Sequence, residues 1–299
     1  MAALTAETLR RTRAAMVMLA VVAAALWADY HWLKGDILFS VVLSVATVWA
    51  YSEFCDICEA WGIKPFRIWG MAGCLALLWL HWMTLPHSLS ASRQLPRGVL
   101  DAGLVILIFA VFLRQGFVKE THDALAAVAM TLLGVLYLWF LPSFLVRIRH
   151  LGGAEWLSVG NGLLISTVVL SKISDVGAYF VGRHFGRHKL IPRISPAKSV
   201  EGAVAGLASS VGAAYACNAL GLLPGIPGWA VPAFGLVAGL AGQCGDLMES
   251  LFKRSGGVKD SGAAVPGYGG ILDVIDSLLI TAGPAYFFLR FFGGLEMRG

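Results

Sequence analysis

Apolar runs long enough to cross a bilayer recur along the whole chain. Crossing roughly 30 Å of hydrocarbon takes about 20 mostly apolar residues. Windows of that kind centre on Ala14–Leu33, Ile37–Phe54, Ile68–Leu85, Val99–Leu113, Ala124–Val146, Leu157–Val181, Gly202–Leu222, Trp229–Phe252 and Gly270–Phe292. Read as helices, they define an all-α, polytopic integral membrane protein with about nine transmembrane helices. Composition agrees: 58% of residues are hydrophobic and 14% charged, where a soluble domain carries about 25% charged residues.

Charge placement tests the count. With nine spans and the N-terminus inside, 15 lysines and arginines fall on the inner side and seven on the outer. The inner set includes Arg10, Arg11, Arg13, Lys64, Arg67, Arg114 and Lys119; the outer includes Lys34, Arg93, Arg97 and Arg298. Removing the short fourth span, which contains Asp101, would put the two most basic loops outside, against the positive-inside rule. The net charge of +5 therefore reads as cytoplasmic loop charge, and no nucleic-acid partner is expected. The basic N-terminus before Ala14 has signal-peptide character, but so many spans follow that it reads as a retained first helix. Five scattered cysteines do not form a disulfide framework, and Cys55-Asp-Ile-Cys58 lacks the βαβ context of a redox motif.

Ionisable residues at membrane depth are costly, so their default reading is functional. Residues 1–150 carry few of them and read as N-terminal transmembrane helices, a lipid-facing scaffold; residues 151–299 read as the C-terminal catalytic domain. Asp246, Glu249, Ser250 and Lys253 share one helix face, as do Asp273, Asp276 and Ser277. A third group is Asp175, Tyr179 and Gly182, with Lys172 one turn earlier. Between the first two runs a glycine-rich loop, residues 255–270, with Lys259 and Asp260. Its glycines let backbone N–H groups approach phosphate, near the positive end of the following helix. No Walker A motif is present.

Carboxylates at helix ends can hold Mg²⁺, which binds through one or two carboxylates plus substrate phosphates. Neighbouring lysines and arginines neutralise the remaining phosphate charge. The parts suit phosphoryl or nucleotidyl transfer, which needs positioning and charge neutralisation above all. The competing reading is ion pairing that fixes helix packing, for example Glu249 with Lys253 or Arg254. The basic loop 182–202 reads either as an anionic-lipid contact or as a phosphate-binding arm. His184 and His188 lack the third ligand of a zinc site.

Three stretches resemble the phosphatidate cytidylyltransferase (CDP-diacylglycerol synthase) family, in the family's order. They are Asp175-Val-Gly-Ala-Tyr179-Phe-Val-Gly-Arg183, then Ile194-Ser-Pro-Ala-Lys-Ser-Val-Glu-Gly202, then the run from Ser250-Leu-Phe-Lys253-Arg254 through Lys259-Asp260-Ser261 to Pro266-Gly-Tyr-Gly-Gly-Ile-Leu-Asp273-Val-Ile-Asp276-Ser277. The resemblance covers roughly residues 172–280. It implies transfer of CMP from CTP to phosphatidic acid, giving CDP-diacylglycerol and pyrophosphate. It also implies Mg²⁺ held by Asp246 and Asp273, with room for a second cation. Ser195, Lys198 and Ser199 would contact substrate phosphate, and Lys253, Arg254, Lys259 and Asp260 would organise the nucleotide. Asp276 joins the catalytic set; Asp175, Tyr179, Arg183, Glu201, Tyr268, Gly269 and Gly270 join the substrate-binding set. By the same resemblance a homodimer is expected, in the bacterial inner membrane, with the N-terminus and active-site loops cytoplasmic.

Two positions depart from the family pattern: Tyr268 stands where the family has His, and Val274 where it has Arg. Tyrosine loses a group that titrates near neutral pH, and valine removes a fixed positive charge, which Lys172 is a candidate to supply. Alternative readings are a related CTP-dependent transferase or kinase acting on another lipid phosphate or a polyprenol, and a non-catalytic membrane protein.

Overall fold

The computed structural model describes residues 17, 20–33, 36–85, 95–96, 98–117, 122–152, 156–262, 265 and 269–295. Tyr268, Pro266, Gly267 and the arginines at 10, 11 and 13 lie outside the described residues, as do Lys34, Arg93, Arg97, Lys119 and Arg298. Helical residues 20–28 lead into a π-helical turn, Asp29–Leu33. The helices that follow are α1 (Ile37–Ala60), α2 (Arg67–Met83), α3 (Gly98–Gly116), α4 (Ala124–Val135) and, after a π-helical turn at Leu136–Phe140, α5 (Leu141–Arg149). Next come α6 (Trp156–Phe185), a hairpin of β1 (Lys189–Ile191) and β2 (Ser195–Ser199), then α7 (Val200–Ala219), α8 (Ala230–Ser255) and α9 (Ile271–Phe291).

The chain is an all-α polytopic membrane protein. Among the described residues seven helices are long and apolar enough to cross a membrane, counting Ala124–Arg149 as one. The two other expected spans are α2, which has 17 residues, and the first, whose opening residues lie outside the described set. One feature departs from the sequence reading: the basic loop folds into an antiparallel hairpin, with Lys189 opposite Ser199 and Ile191 opposite Ser195.

The chain divides into two compact units, Met1–Phe140 with Ser255–Val274 and Leu141–Arg254 with Ile275–Gly299. In the first, α1, α2, α3 and α4 pack together. The Tyr51 hydroxyl donates to the Thr131 carbonyl at 3.1 Å, and the Thr131 hydroxyl accepts the Phe66 N–H at 2.8 Å. The few acidic residues of this unit include three buried carboxylates: Asp29, Asp36 and Glu53 are 0, 1 and 4% exposed. Each meets donors that make its burial tolerable. Asp29 accepts the Leu38 and Phe39 N–H groups at 3.0 Å each, capping α1, and Asp36 accepts the Trp82 indole N–H at 2.6 Å.

In the second unit α6 runs against α7 over most of its length. Small residues set the approach: a Cβ at Gly202 would sit 2.7 Å from the Ala178 carbonyl, and one at Gly206 2.7 Å from that of Ser174. The Ser210 hydroxyl on α7 lies 2.8 Å from the Gly235 carbonyl of α8 and 3.2 Å from the Leu170 carbonyl of α6, tying three helices. Such small-residue contacts and hydroxyl bonds drive helix association where lipid offers no hydrophobic force. Phe144 of α5 meets Tyr286 of α9 at 5.5 Å, and Phe234 stacks on Phe288 at 5.7 Å.

Candidate active site

The second unit gathers three carboxylates and two lysines from four elements. On α6, Lys172 and Asp175 are one turn apart; on α9, Asp276 and Ser277 are adjacent. The Lys172 ammonium donates to the Ser277 hydroxyl at 2.7 Å and lies 3.5 Å from Asp175 and 3.9 Å from Asp276. Ser277 passes the chain on, donating to Asp175 at 2.9 Å. Lys172 therefore places positive charge beside this cluster. Asp246 of α8 is within electrostatic reach of both Asp175 and Asp276. Its own carboxylate pairs with Lys198 of β2 at 2.7 Å. Ser250, one turn along α8, lies 3.4 Å from it.

Beside this cluster a cavity of about 350 Å³ is lined by Asp175, Tyr179, Arg183, Lys198, Ser199 and Asp246, among others. Six residues singled out from the sequence therefore meet on one surface. Arg183 donates to the Tyr179 hydroxyl at 2.6 Å. Ser199 caps α7 by accepting the Gly202 N–H at 3.2 Å, an N-cap bond of the usual kind. Glu201 accepts the Arg187 N–H at 3.1 Å and the His188 N–H at 3.2 Å, and pairs with the His188 ring at 2.6 Å. It fastens the root of the hairpin that carries Lys198. Gln243, which the sequence reading passed over, lines the same cavity and donates to the Ala203 carbonyl at 2.9 Å.

Other expected site residues are engaged locally. Lys253 pairs with Glu249 at 2.5 Å across one turn of α8, the packing alternative raised for this run. Arg254 contacts the Ile194 carbonyl at 3.4 Å. Ser195 is half-buried at the start of β2, while Lys259 and Asp260 are exposed.

The first unit holds a second group of carboxylates, built on the glycine-rich segment. Asp273, in the first turn of α9, accepts three hydrogen bonds on one oxygen: from the Gly270 N–H at 2.7 Å, the Ser261 N–H at 2.9 Å and the Ser261 hydroxyl at 2.8 Å. Glu53 of α1 accepts the Ile271 N–H at 2.9 Å and the Leu272 N–H at 2.8 Å, and lies 3.1 Å from the Ser261 hydroxyl. The N–H groups that this helix start was expected to offer to phosphate are thus satisfied inside the chain. Gly269 adopts φ +109°, a region that side chains other than glycine's rarely enter. Close approach explains two more glycines: a Cβ at Gly262 would fall 2.9 Å from a Glu53 oxygen, and one at Gly270 2.6 Å from the Glu53 carboxyl carbon. Sequence reasoning missed Glu53. Its signal was a lone acid inside the apolar run Ile37–Phe54.

Among the described residues no three His, Cys, Asp or Glu side chains converge to hold a metal ion unaided. That donor chemistry still fits Mg²⁺, which keeps waters and binds through one or two carboxylates while phosphates complete its shell.

Comparison with known sequences follows the same lines. The profile of the cytidylyltransferase family matches residues 9–292. The chain belongs to this family. Membership makes it a nucleotidyltransferase that uses CTP. It is 32% identical to the phosphatidate cytidylyltransferase of Synechocystis sp., covering 85% of this chain and 89% of that protein. It is 33% identical to the phosphatidate cytidylyltransferases of Brucella suis, over 88% and 87% of the two chains, and of Bacillus subtilis, over 77% and 81%. The family match reaches well beyond residues 172–280, into helices that read in the sequence only as generic membrane spans.

Proposed function

We propose that the chain is a phosphatidate cytidylyltransferase, transferring CMP from CTP to phosphatidic acid to give CDP-diacylglycerol and pyrophosphate. The observation that carries this is the Lys198–Asp246 pair at a cavity lined by Asp175, Tyr179 and Arg183, in a chain matching the cytidylyltransferase family almost end to end. The phosphatidate oxygen attacks the α-phosphorus of CTP, a P–O bond forms as the bond to pyrophosphate breaks, and charge accumulates on the phosphate oxygens. Lys198 is suited to neutralise that charge because it stands on the β1–β2 hairpin, half-buried at the cavity, and can exchange its carboxylate partner for a phosphate. Arg183, held by Tyr179, offers a second fixed cation at the same cavity. Lys172 offsets part of the negative charge of Asp175 and Asp276, which lessens their repulsion of an anionic substrate.

Bound Mg²⁺ would supply further neutralisation of the phosphates. Asp246 is the carboxylate proposed to hold it in the second unit; in the first, the resemblance proposes Asp273. The inner face of a bacterial cytoplasmic membrane is the proposed location, where soluble CTP and a lipid acceptor both have access. Radiolabelled CTP, phosphatidate and Mg²⁺ with purified protein should yield labelled CDP-diacylglycerol. Label appearing only on another lipid phosphate or a polyprenol would replace this reading with a sister activity.

A further inference from the structure

The geometry points to Glu53 as a positioning residue that sets the start of α9, and with it Asp273, for the proposed reaction; the inference rests on that functional reading. Three observations converge on Glu53. It is 4% exposed in the midst of an apolar helix, where an ionised carboxylate is costly unless its environment is built for it. Its two oxygens receive the N–H groups of Ile271 and Leu272, two of the donors that any helix leaves unsatisfied at its start. A carboxylate placed there also meets the positive end of the helix dipole.

The third observation is the shared hydroxyl. Ser261 lies 2.8 Å from an Asp273 oxygen and 3.1 Å from a Glu53 oxygen. With one proton to give, it bridges two carboxylates. The Asp273 oxygen that takes Ser261 also takes the Gly270 N–H, so the rotamer of Asp273 is set by donors that adjoin those of Glu53 and share with them the Ser261 hydroxyl. The division of labour is plain: Glu53 satisfies Ile271 and Leu272, leaving Asp273 to Gly270 and Ser261. Without Glu53 the Ile271 and Leu272 N–H groups lose their acceptor, and the start of α9 that carries Asp273 loses its tie to α1.

The glycines show that this arrangement is built in. A Cβ at Gly262 or Gly270 would meet Glu53, and one at Gly256 would fall 2.7 Å from the Ile57 carbonyl one turn further along α1. The loop that reads in the sequence as a phosphate cradle therefore uses these glycines to lie against α1.

Two readouts test the assignment on Glu53→Gln, Glu53→Ala and Ser261→Ala in detergent or nanodiscs. Amide exchange across residues 269–273 should accelerate at least about tenfold in the Glu53 variants, with the other helices unchanged. The Mg²⁺ concentration for half-maximal turnover should rise about 10- to 100-fold, the range seen when a residue supporting a metal ligand is lost, with KM for phosphatidate within about twofold. Ser261→Ala should shift Mg²⁺ dependence in the same direction by less. Unchanged exchange at 269–273 overturns the cap. Faster exchange with wild-type kcat and Mg²⁺ dependence overturns the positioning role and leaves a packing residue. If Glu53→Ala fails to fold, Glu53→Gln and Ser261→Ala decide by the same readouts. Wild-type protein that transfers no CMP to phosphatidate sinks the functional reading itself, a result separable from unchanged exchange in active protein.

Discussion

The two units solve one problem, carboxylates on or beside apolar helices, by opposite means. In the first, Glu53 and Asp273 are satisfied by neutral donors: four backbone N–H groups and one serine hydroxyl. In the second, Asp175, Asp246 and Asp276 are met by ammonium groups, Lys172 at 3.5 and 3.9 Å and Lys198 at 2.7 Å. Backbone donors cannot leave without unravelling a helix start, so the first arrangement is a fixture. A lysine on a four-carbon stem can swing to another anion, so the second can respond to substrate. Fixed backbone donors thus mark the first unit's carboxylates, and exchangeable charge marks the second's.

Replacing Asp246 with Asn should break the responsive side most completely. Turnover should fall about 10³-fold or more, the scale for removing a main electrostatic contributor to a transition state, while detergent-purified protein stays monodisperse. An Asp246→Asn enzyme at half the wild-type rate would remove this carboxylate from the chemistry. Lys198→Met should come next, at about 10²-fold, with Lys198→Arg recovering part because charge rather than length is at issue. Equal loss in both variants would show that geometry dominates.

Lys172→Met is expected to cost about tenfold in kcat, because Asp175 and Asp276 would then face each other with only Ser277 between. Unchanged activity would show that the cluster needs no ammonium and that Val274 is simply tolerated. Smallest should be Glu201→Gln, which loosens the hairpin root without touching Lys198. A rise of about threefold in KM for either substrate with kcat unchanged would fit a residue that shapes binding alone. A drop in kcat with KM constant would move Glu201 into the chemistry.

Much of this fold was legible because hydrocarbon permits so few backbone solutions: apolar run length alone located α1 to α3 and α6 to α9, and α4 with α5 as a single span. The hairpin was not legible, since Lys189–Ile191 and Ser195–Ser199 are too short and too polar to stand out from a basic loop. Within the site, the side chains that line the cavity were readable from type and spacing, as Asp175, Tyr179 and Arg183 show. What type and spacing did not convey was the partner. Lys253 looked like a nucleotide contact and sits on Glu249; Glu201 looked like a substrate contact and binds its own loop. Glu53 escaped because its role depends on a loop more than 200 residues away, on which α1's own sequence is silent. The tight pairing of α6 with α7 did leave a trace, the spacing Gly202-Ala-Val-Ala-Gly206, which places two glycines on one helix face.

That pairing has a bearing on how the enzyme meets its lipid surroundings. Membrane helices ordinarily answer a thicker or thinner bilayer by tilting and sliding past one another. Gly202 and Gly206 lie so close to the carbonyls of Ala178 and Ser174 that any side chain there would hold α6 and α7 apart. Asp175 on one and Lys198 at the head of the other depend on that close approach. In an enzyme that builds membrane lipid, two bare stretches of backbone thus decide how near these charges can lie.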